Sequence, residues 1–362
     1  MRKILYRILL SVNIGFALTL LISYLAVVIS PGKLAVPAFF GLAYPYLLFI
    51  NIILAVIWLM LLKFEALISL IVIALGFTHF INYIKLSRPS GDKTGTYKVM
   101  TYNVRLFNYY ESRNGMNSEK KVLNFIKTQK PDIICLQEIY LIGIPSVREK
   151  AMVAALGGKY YSHMKVIGAG KNRYYGIITF SRFPIIRKGE IVHPGSSSLS
   201  IYTDIVVQKD TIRVYNNHLQ SFKLKRMERS FVEELTSDKQ TLEVKDISSS
   251  LKKGFIKRAH QAQVLKEKVD KSPYSAMVVG DFNDTPVSYV YRKIRKGLND
   301  AFVSSGYGAG FTYRGNYPPN RIDYILYDKS IVNSHFEIAR IRYSDHYPVF
   351  AYFKKNSKKA DS

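Results

Sequence analysis

The chain has one cysteine in 362 residues, Cys135, so it can form neither an intrachain disulfide nor a multi-cysteine metal site. Cys135 stands in the apolar run Ile133 to Leu136, where a free thiol reads as a small buried hydrophobe. Acidic residues are scarce as well. Against 52 Lys and Arg there are 26 Asp and Glu, a formal net charge of +26. Charge of either sign is thin up to residue 90, with seven cations and one anion, Glu65, which leaves a net +20 on the remainder. A basic excess of that size favours polyanions or anionic membrane surfaces, or else serves as a solvated surface that keeps the protein soluble.

The missing charges fall into three runs. No formal charge occurs in the 25 residues between Arg7 and Lys33, the 29 between Lys33 and Lys63, or the 19 between Glu65 and Lys85. A bilayer core needs about 20 apolar residues per helix, so three transmembrane helices are expected near 8–30, 35–62 and 66–84. A cleaved signal peptide accounts for the first run only, and three buried helices of a soluble protein would need more covering chain. Asn13, Asn51, His79 and Asn82 lie in or beside these runs and, with no acidic partner in sight, read as packing or interfacial groups. Arg2, Lys3 and Arg7 hold the N-terminus in the cytoplasm, which after three crossings places the later chain outside it. Lys85, Arg88 and Lys93 pull the other way.

Residues 87–96, with Pro89, Gly91 and Gly95, form a short polar linker, after which the pattern changes. Strands are expected at 97–104, 132–137, 160–166, 176–181, 201–207, 211–217, 276–279, 321–327 and 348–353, with helices near 118–129, 147–156 and 288–296. Residues 222–270, rich in Lys, Glu, Gln and Ser, read as two helices making an excursion over one sheet edge. Short strands interleaved with helices, some joined by turns as tight as Gln208-Lys209-Asp210, make the fold class α/β, a mixed sheet sandwich flanked by helices.

Several of these strands end on polar groups. The run Ala276 to Val279 stops at Gly280 and delivers Asp281 and Asn283 into the loop beyond, although Asp-Phe-Asn-Asp-Thr-Pro is also ordinary turn chemistry. Asn103 ends one strand and Glu138 another, His218 follows Asn216-Asn217, and Asp323 sits in Arg321-Ile322-Asp323-Tyr324. Ser344-Asp345-His346 puts an acid beside a base. Taken singly, His218 reads as a satisfied histidine, Asp323 as the salt-bridge partner of Arg321, and Asp345 as a turn former. Together, carboxylate and amide oxygens without thiols suit a hard cation such as Mg²⁺ or Mn²⁺. Two histidines outside any zinc spacing suit acid-base work and anion stabilisation.

In order, Thr101-Tyr102-Asn103-Val104, Leu136-Gln137-Glu138, Asn217-His218-Leu219, Gly280-Asp281-Phe282-Asn283, Arg321-Ile322-Asp323-Tyr324 and Ser344-Asp345-His346 resemble the motif series of the endonuclease/exonuclease/phosphatase superfamily. The resemblance covers about 97–354, and Tyr175-Gly176-Ile177 with Phe180 to Ile185 resembles the family's middle strand. It implies a DNase I-like four-layer fold of two packed mixed β-sheets with helices on their outer faces, and metal-dependent hydrolysis of a phosphoester at one end of the sandwich. Carried across, Glu138 is the principal Mg²⁺ ligand with Asn103 beside it, and Asp345 completes the metal site directly or through water. Asp281 orients or deprotonates the attacking water, and Asn283 holds a phosphate oxygen. His346 meets the phosphate with Asp323 on its far ring nitrogen. His218 lies across the scissile group as phosphate ligand or acid.

The resulting expectation is a membrane segment at 1–86, the linker at 87–96, a catalytic domain at 97–354 and a charged tail at 355–362. Function is expected to be that of a membrane-anchored Mg²⁺-dependent phosphodiesterase, nuclease-like, with the catalytic domain outside the cytoplasm. The alternative substrate is a phospholipid or sphingomyelin headgroup at the membrane surface. An alternative of another class is a catalytically inactive membrane-bound binding module, which would be expected to have lost one of these groups. Arg173 and Tyr175 are candidates for substrate binding by phosphate pairing or stacking, and equally for a basic surface strand. Asn316-Tyr317-Pro318-Pro319 is the nearest thing to a lipid-inserting loop.

Overall fold

Val99 and Thr101 occupy one face of the strand Tyr97–Asn103 (β2) and Met100 and Tyr102 the other, and all four are fully buried. A strand buried on both faces belongs to the middle of a layered structure. The computed structural model describes residues 2–87, 91, 93, 94, 96–109, 115–196, 198–221, 240–315 and 319–355. Parts of the expected linker, the first part of the 222–270 excursion, Asn316 to Pro318 and the tail beyond 355 lie outside the described residues.

Contacts divide the chain into two compact units, one of 84–221, 263–283 and 294–362, the other of 1–83, 222–262 and 284–293. In the first, β2 lies between β3 (Ile133–Ile142), its parallel neighbour, and β14 (Val349–Lys355), which runs antiparallel to it. Their six-stranded sheet is completed by β13 (Ile331–Ile338) beyond β14, and by β5 (Arg173–Ser181) and β4 (Tyr161–Gly168) beyond β3. The second six-stranded sheet runs β10 (Leu298–Asp300), β12 (Asp323–Asp328), β9 (Ser275–Asp281), β8 (Asp210–His218), β7 (Leu199–Val207), β6 (Ile185–Ile191), with β8 and β9 parallel. A two-stranded ribbon pairs β1 (Ile84–Lys85) with β11 (Gly308–Ala309). Val99, Ile133 and Cys135 from the first sheet and Val214, Met277, Val279 and Ile325 from the second share one apolar core. Helices Gly115–Gln129 and Pro145–Ala155 cover the opposite face of the first sheet through Val122, Ile126 and Met152. Cys135 is buried, as its apolar run implied.

A polar bridge crosses the core. Gln137 Nε2 donates to Asn216 Oδ1 at 2.8 Å and to Thr101 Oγ1 and Cys135 O, each at 3.1 Å, while Asn216 Nδ2 donates to Ile178 O at 3.0 Å. Every one of these side chains is fully buried. Losing one partner strands the other without water, so Gln137→Leu is expected to cost about 1–3 kcal/mol, read as a lower chemical-denaturation midpoint.

Two features of this unit differ from expectation. β3 does not end before Glu138. It continues to Ile142 across a register shift between Leu136 and Ile139, with Glu138 at φ +53°. A bulge of this kind turns one side chain out of the strand's alternation and is a means of aiming it. The strands β6 and β13 and the short helix Ala301–Ser305 were not anticipated.

In the other unit, α1 (Arg2–Leu25) has 24 residues and is about 36 Å long, enough to cross a hydrocarbon core of about 30 Å. It is one continuous helix long and apolar enough to do so. The expected second span is instead α2 (Val36–Leu42) and α3 (Tyr44–Met60), bent by 68°, and the third is α4 (Ala66–Leu75), only 10 residues, followed by α5 (Phe77–Phe80). Among the described residues, the expectation of three spans is corrected by length and composition to one, or two if the bent pair counts as one. Pro45 sets the start of α3, where its missing N–H costs nothing, and so ends continuity with α2. Gly76 breaks the third run, and a Cβ there would lie 2.1 Å from the Tyr24 hydroxyl.

Polar groups are inside this helical cluster. Ser69 Oγ donates to Asn13 Oδ1 at 2.6 Å, Asn13 Nδ2 to Glu65 O at 3.1 Å, and Asn51 Nδ2 to Phe16 O at 3.0 Å. All three side chains are fully buried, whereas Leu5, Ile8, Phe49, Leu59, Leu67 and Leu75 are exposed.

Candidate active site

The parallel pairs bring their ends to a common edge. Asn103 is the last residue of β2, His218 of β8 and Asp281 of β9, while Asp323 is the first of β12. Register places His218, Asp281 and Asp323 side by side across three adjacent strands. Close approach is possible because residue 280 is glycine. Its φ is +129°, and a Cβ there would stand 2.1 Å from Asn217 O.

Asp281 Oδ2 is the centre of the arrangement. It accepts from Asn103 Nδ2 at 2.9 Å and Asn283 Nδ2 at 3.2 Å, and lies 3.8 Å from His346 Nε2 and 3.9 Å from His218 Nε2. Asn103 Nδ2 also donates to Glu138 Oε1 at 3.2 Å, which is 3.1 Å from His218 Nε2. On the far side, His346 Nδ1 is 2.9 Å from Asp323 Oδ2, and Asp345 Oδ1 is 4.0 Å from His346 Nε2. Asn103, Glu138, His218, Asp281, Asn283, Asp323, Asp345 and His346 therefore form one connected set. Asn283 spends its other amide hydrogen on Leu219 O at 3.0 Å and holds φ +52°. Arg173 and Tyr175 pair with Ile142 and Tyr140 across β5 and β3, and among the described residues they make no hydrogen bond to this set.

Sequence reading missed several supporting groups. Arg105 Nε pairs with Asp345 Oδ2 at 3.2 Å, and Ser344 Oγ ties the two ends of the site by donating to Asn103 O at 2.8 Å. Thr312 Oγ1 accepts from Asp323 N at 3.1 Å, and the Tyr313 ring meets His346 edge-on with centroids 5.2 Å apart. Ser344 was visible inside a motif. Thr312 and Tyr313 carried no signal because their partners are distant in sequence.

The charges are strongly coupled. Burial pushes the Glu138 carboxyl up, but the His218 imidazole, the His346 charge and the Asn103 amide outweigh it and hold the group at about 2. For Asp281 burial wins, and with Asp323 it raises the carboxyl to about 6 against the pull of both histidines. Burial disfavours the charged form of His346, yet Asp323, Asp281 and Asp345 raise it to about 10. His218 is raised in the same way by Glu138 against its burial.

Four carboxylates converge on two imidazoles and one guanidinium here, without a thiol, and the Asp323 Oδ1 atom is buried with no hydrogen-bond partner among the described residues. Such an oxygen-rich, electron-rich set fits a hard divalent cation. Asp281, Asp323 and His346 each offer one ligand atom within 4.8 Å of the others, a grouping able to hold a metal ion.

Two mixed sheets packed face to face, helices outside and this acid, amide and imidazole set at one edge define a DNase I-like phosphoesterase fold. Residues 100–346 match the Endonuclease/Exonuclease/phosphatase family, and the chain belongs to it. Residues 6–83 match a separate family described as a domain of unknown function (DUF8431). Among solved structures, an endonuclease/exonuclease/phosphatase family protein from Leptotrichia buccalis C-1013-b is similar at 17% identity and TM-score 0.52, over 72% of this chain and 99% of that one. The family member from Bacteroides vulgatus is similar at 18% identity and TM-score 0.52, over 73% and 100%. D. rerio TDP2, complexed with single strand DNA product, is similar at 16% identity and TM-score 0.52, over 72% and 100%. No curated protein matches the chain significantly.

Proposed function

We propose that the chain is a membrane-attached, Mg²⁺-dependent phosphodiesterase, with 97–354 as its catalytic domain and nucleic acid as its first substrate class. The observation that carries the reading is the convergence of Asn103, His218, Asn283 and His346 on one oxygen of Asp281, with ionised Glu138 next to it. Glu138 is the principal ligand of the ion, Asn103 lies beside it, and Asp345 completes the site directly or through water. Once bound, the ion supplies charge screening on the phosphate. A carboxylate held near neutrality is suited to orient and deprotonate a water, which is the role of Asp281. His346, kept as imidazolium by Asp323, cannot ligate a metal and instead stabilises charge on the phosphate oxygens. His218 stands across the scissile group as ligand or acid, and Asn283 turns its amide from Leu219 O to a phosphate oxygen.

Because Asp281 acts as base only when deprotonated, kcat/KM is expected to rise with pH through a limb at about 6, moved lower by added Mg²⁺. A steady-state pH profile with and without excess Mg²⁺ reads this, and a rate independent of pH between 4 and 8 would count against Asp281 as base.

Attachment to a bilayer rests on the inverted packing of the N-terminal helices, with Asn13, Asn51 and Ser69 inside and large aliphatic side chains outside. In water that arrangement wastes apolar burial, whereas in lipid it keeps Asn13, Asn51 and Ser69 hydrogen-bonded inside and the apolar side chains against hydrocarbon. The same observation favours a second reading, a phospholipid or sphingomyelin phosphodiester as substrate. The basic excess and the DNA-product complex of the D. rerio TDP2 neighbour favour nucleic acid. A panel of plasmid DNA, RNA, sphingomyelin, phosphoinositides and bis-p-nitrophenyl phosphate, offered to the full chain in detergent with Mg²⁺ or chelator, separates them. Hydrolysis of none would overturn the reading and leave the inactive binding module. A C-terminal reporter fusion tests the extracytoplasmic placement, which activity only on the cytoplasmic side would refute.

A further inference from the structure

Just beyond the end of β2, four consecutive residues hold a left-handed backbone. Arg105, Leu106, Phe107 and Asn108 have φ of +46°, +53°, +53° and +52°, and none of them is glycine. L-residues adopt this conformation singly and rarely, so a run of four persists only where its surroundings hold it. The holding groups all belong to the unit of 84–221, 263–283 and 294–362. Phe107 is buried in the apolar core that also contains Tyr102, Val122 and Ile139, and its N–H donates to Val104 O at 2.8 Å. Asn108 Nδ2 donates to Tyr343 O at 2.8 Å. Held in this way, Arg105 touches the site twice. Its N–H donates to Asn103 Oδ1 at 2.9 Å, which turns Asn103 Nδ2 toward Glu138 and Asp281, and its Nε lies 3.2 Å from Asp345 Oδ2.

We propose that Arg105 is a positioning residue, a built-in counter-cation that holds Asp345 back from the metal site and so limits how tightly the ion is bound. The part concerning turnover rests on the phosphodiesterase reading above. Of the two oxygens of Asp345, one faces the guanidinium and the other stands 4.0 Å from His346 Nε2. A guanidinium is charged at every working pH, so the pair does not depend on the state of the histidines. With Oδ2 shared with Arg105, Asp345 lends only part of its charge to a cation among Glu138, Asp281 and Asp323. Released, it lends all of it, which tightens binding of the cation and weakens the pull left over for the phosphate. The handedness of the turn serves this arrangement. The φ of Arg105 sets the angle between its N–H and its side chain, and the contacts to Asn103 and Asp345 need both directions at once.

The test uses the full chain in detergent. Arg105→Gln removes the charge and keeps the backbone N–H, whereas Arg105→Lys keeps both. Leu106→Gly keeps the turn, since glycine accepts φ near +53°, and leaves Arg105 and Asp345 in place. In calorimetry without substrate, Arg105→Gln is expected to bind Mg²⁺ about tenfold more tightly than the parent. Its kcat on bis-p-nitrophenyl phosphate at saturating Mg²⁺ should fall about tenfold, with KM within about twofold. General loosening of the site would weaken the ion and slow turnover together, so the opposite signs report the counter-cation. Arg105→Lys should bind Mg²⁺ within about twofold of the parent, and Leu106→Gly should match the parent in both affinity and kcat. Unchanged or weaker Mg²⁺ binding in Arg105→Gln, or equal tightening in Arg105→Lys or Leu106→Gly, would overturn the proposal. So would a raised KM with parental kcat in Arg105→Gln, which would make Arg105 a substrate contact. Should the parent bind Mg²⁺ but cleave no diester, the phosphodiesterase reading falls alone and calorimetry still decides the role of Arg105. A parent that binds no Mg²⁺ would overturn both.

Discussion

Glu138→Gln is expected to lower phosphodiester hydrolysis by about three orders of magnitude or more, the rate equivalent of the several kcal/mol that a catalytic cation contributes. The substitution keeps the side chain's shape and its bond from Asn103 Nδ2, and removes only the charge. That charge is fully present at working pH, since Glu138 titrates at about 2, so the loss should not vary with pH in the neutral range. Mg²⁺ affinity measured by calorimetry should fall in parallel with rate. A variant retaining both within tenfold would move the ion to the alternative grouping of Asp281, Asp323 and His346 and return Glu138 to a role as the partner of His218.

Most of this site could be read in the sequence because its residues sit at strand ends, where local patterns of apolar run and polar stop are visible. The two-sheet α/β architecture was equally legible, since central strands such as β3 and β9 carry short apolar runs, Ile133 to Leu136 and Ala276 to Val279. What escaped was governed by edges and by distance. β6, β10 and β13 are edge strands, and an edge needs no apolar run, as the charged Ile-Arg-Lys-Gly-Glu stretch of β6 illustrates. The bulge at Glu138 is decided by pairing with β5, not by the residues of β3 alone. In the N-terminal unit, absence of charge located the helical region correctly but said nothing of continuity. Pro45 and Gly76 interrupt the helices, and Gly76 does so where Tyr24, far away in sequence, takes the space. Arg173 and Tyr175 were drawn in by residue type, and their pairing places them on β5 opposite Ile142 and Tyr140.

The other large effect concerns His346. His346→Ala is expected to lower kcat/KM by about 10²–10³-fold, the range for removing one group that stabilises charge in the transition state. More informative is Asp323→Asn. Asp323 is buried, its Oδ2 lies 2.9 Å from His346 Nδ1, and it is the first among the charges that raise His346 to about 10. A raised value means the imidazolium survives until pH passes about 10, so the parent's activity should fall only beyond that point. Without the Asp323 charge, His346 moves back toward its ordinary range and sheds its proton at lower pH. The descending limb of kcat/KM should therefore shift down by one unit or more, a unit corresponding to about 1.4 kcal/mol of lost preference for the charged form. At pH 6 the variant should be close to the parent, and at pH 9 far below it. Thr312 Oγ1 still holds residue 323 through its backbone N–H, so the ring keeps its place while losing its charge. A descending limb that stays where the parent has it would mean that the imidazolium is not the form the reaction uses, and His346 would then act as a neutral base, leaving Asp281 to bind the cation.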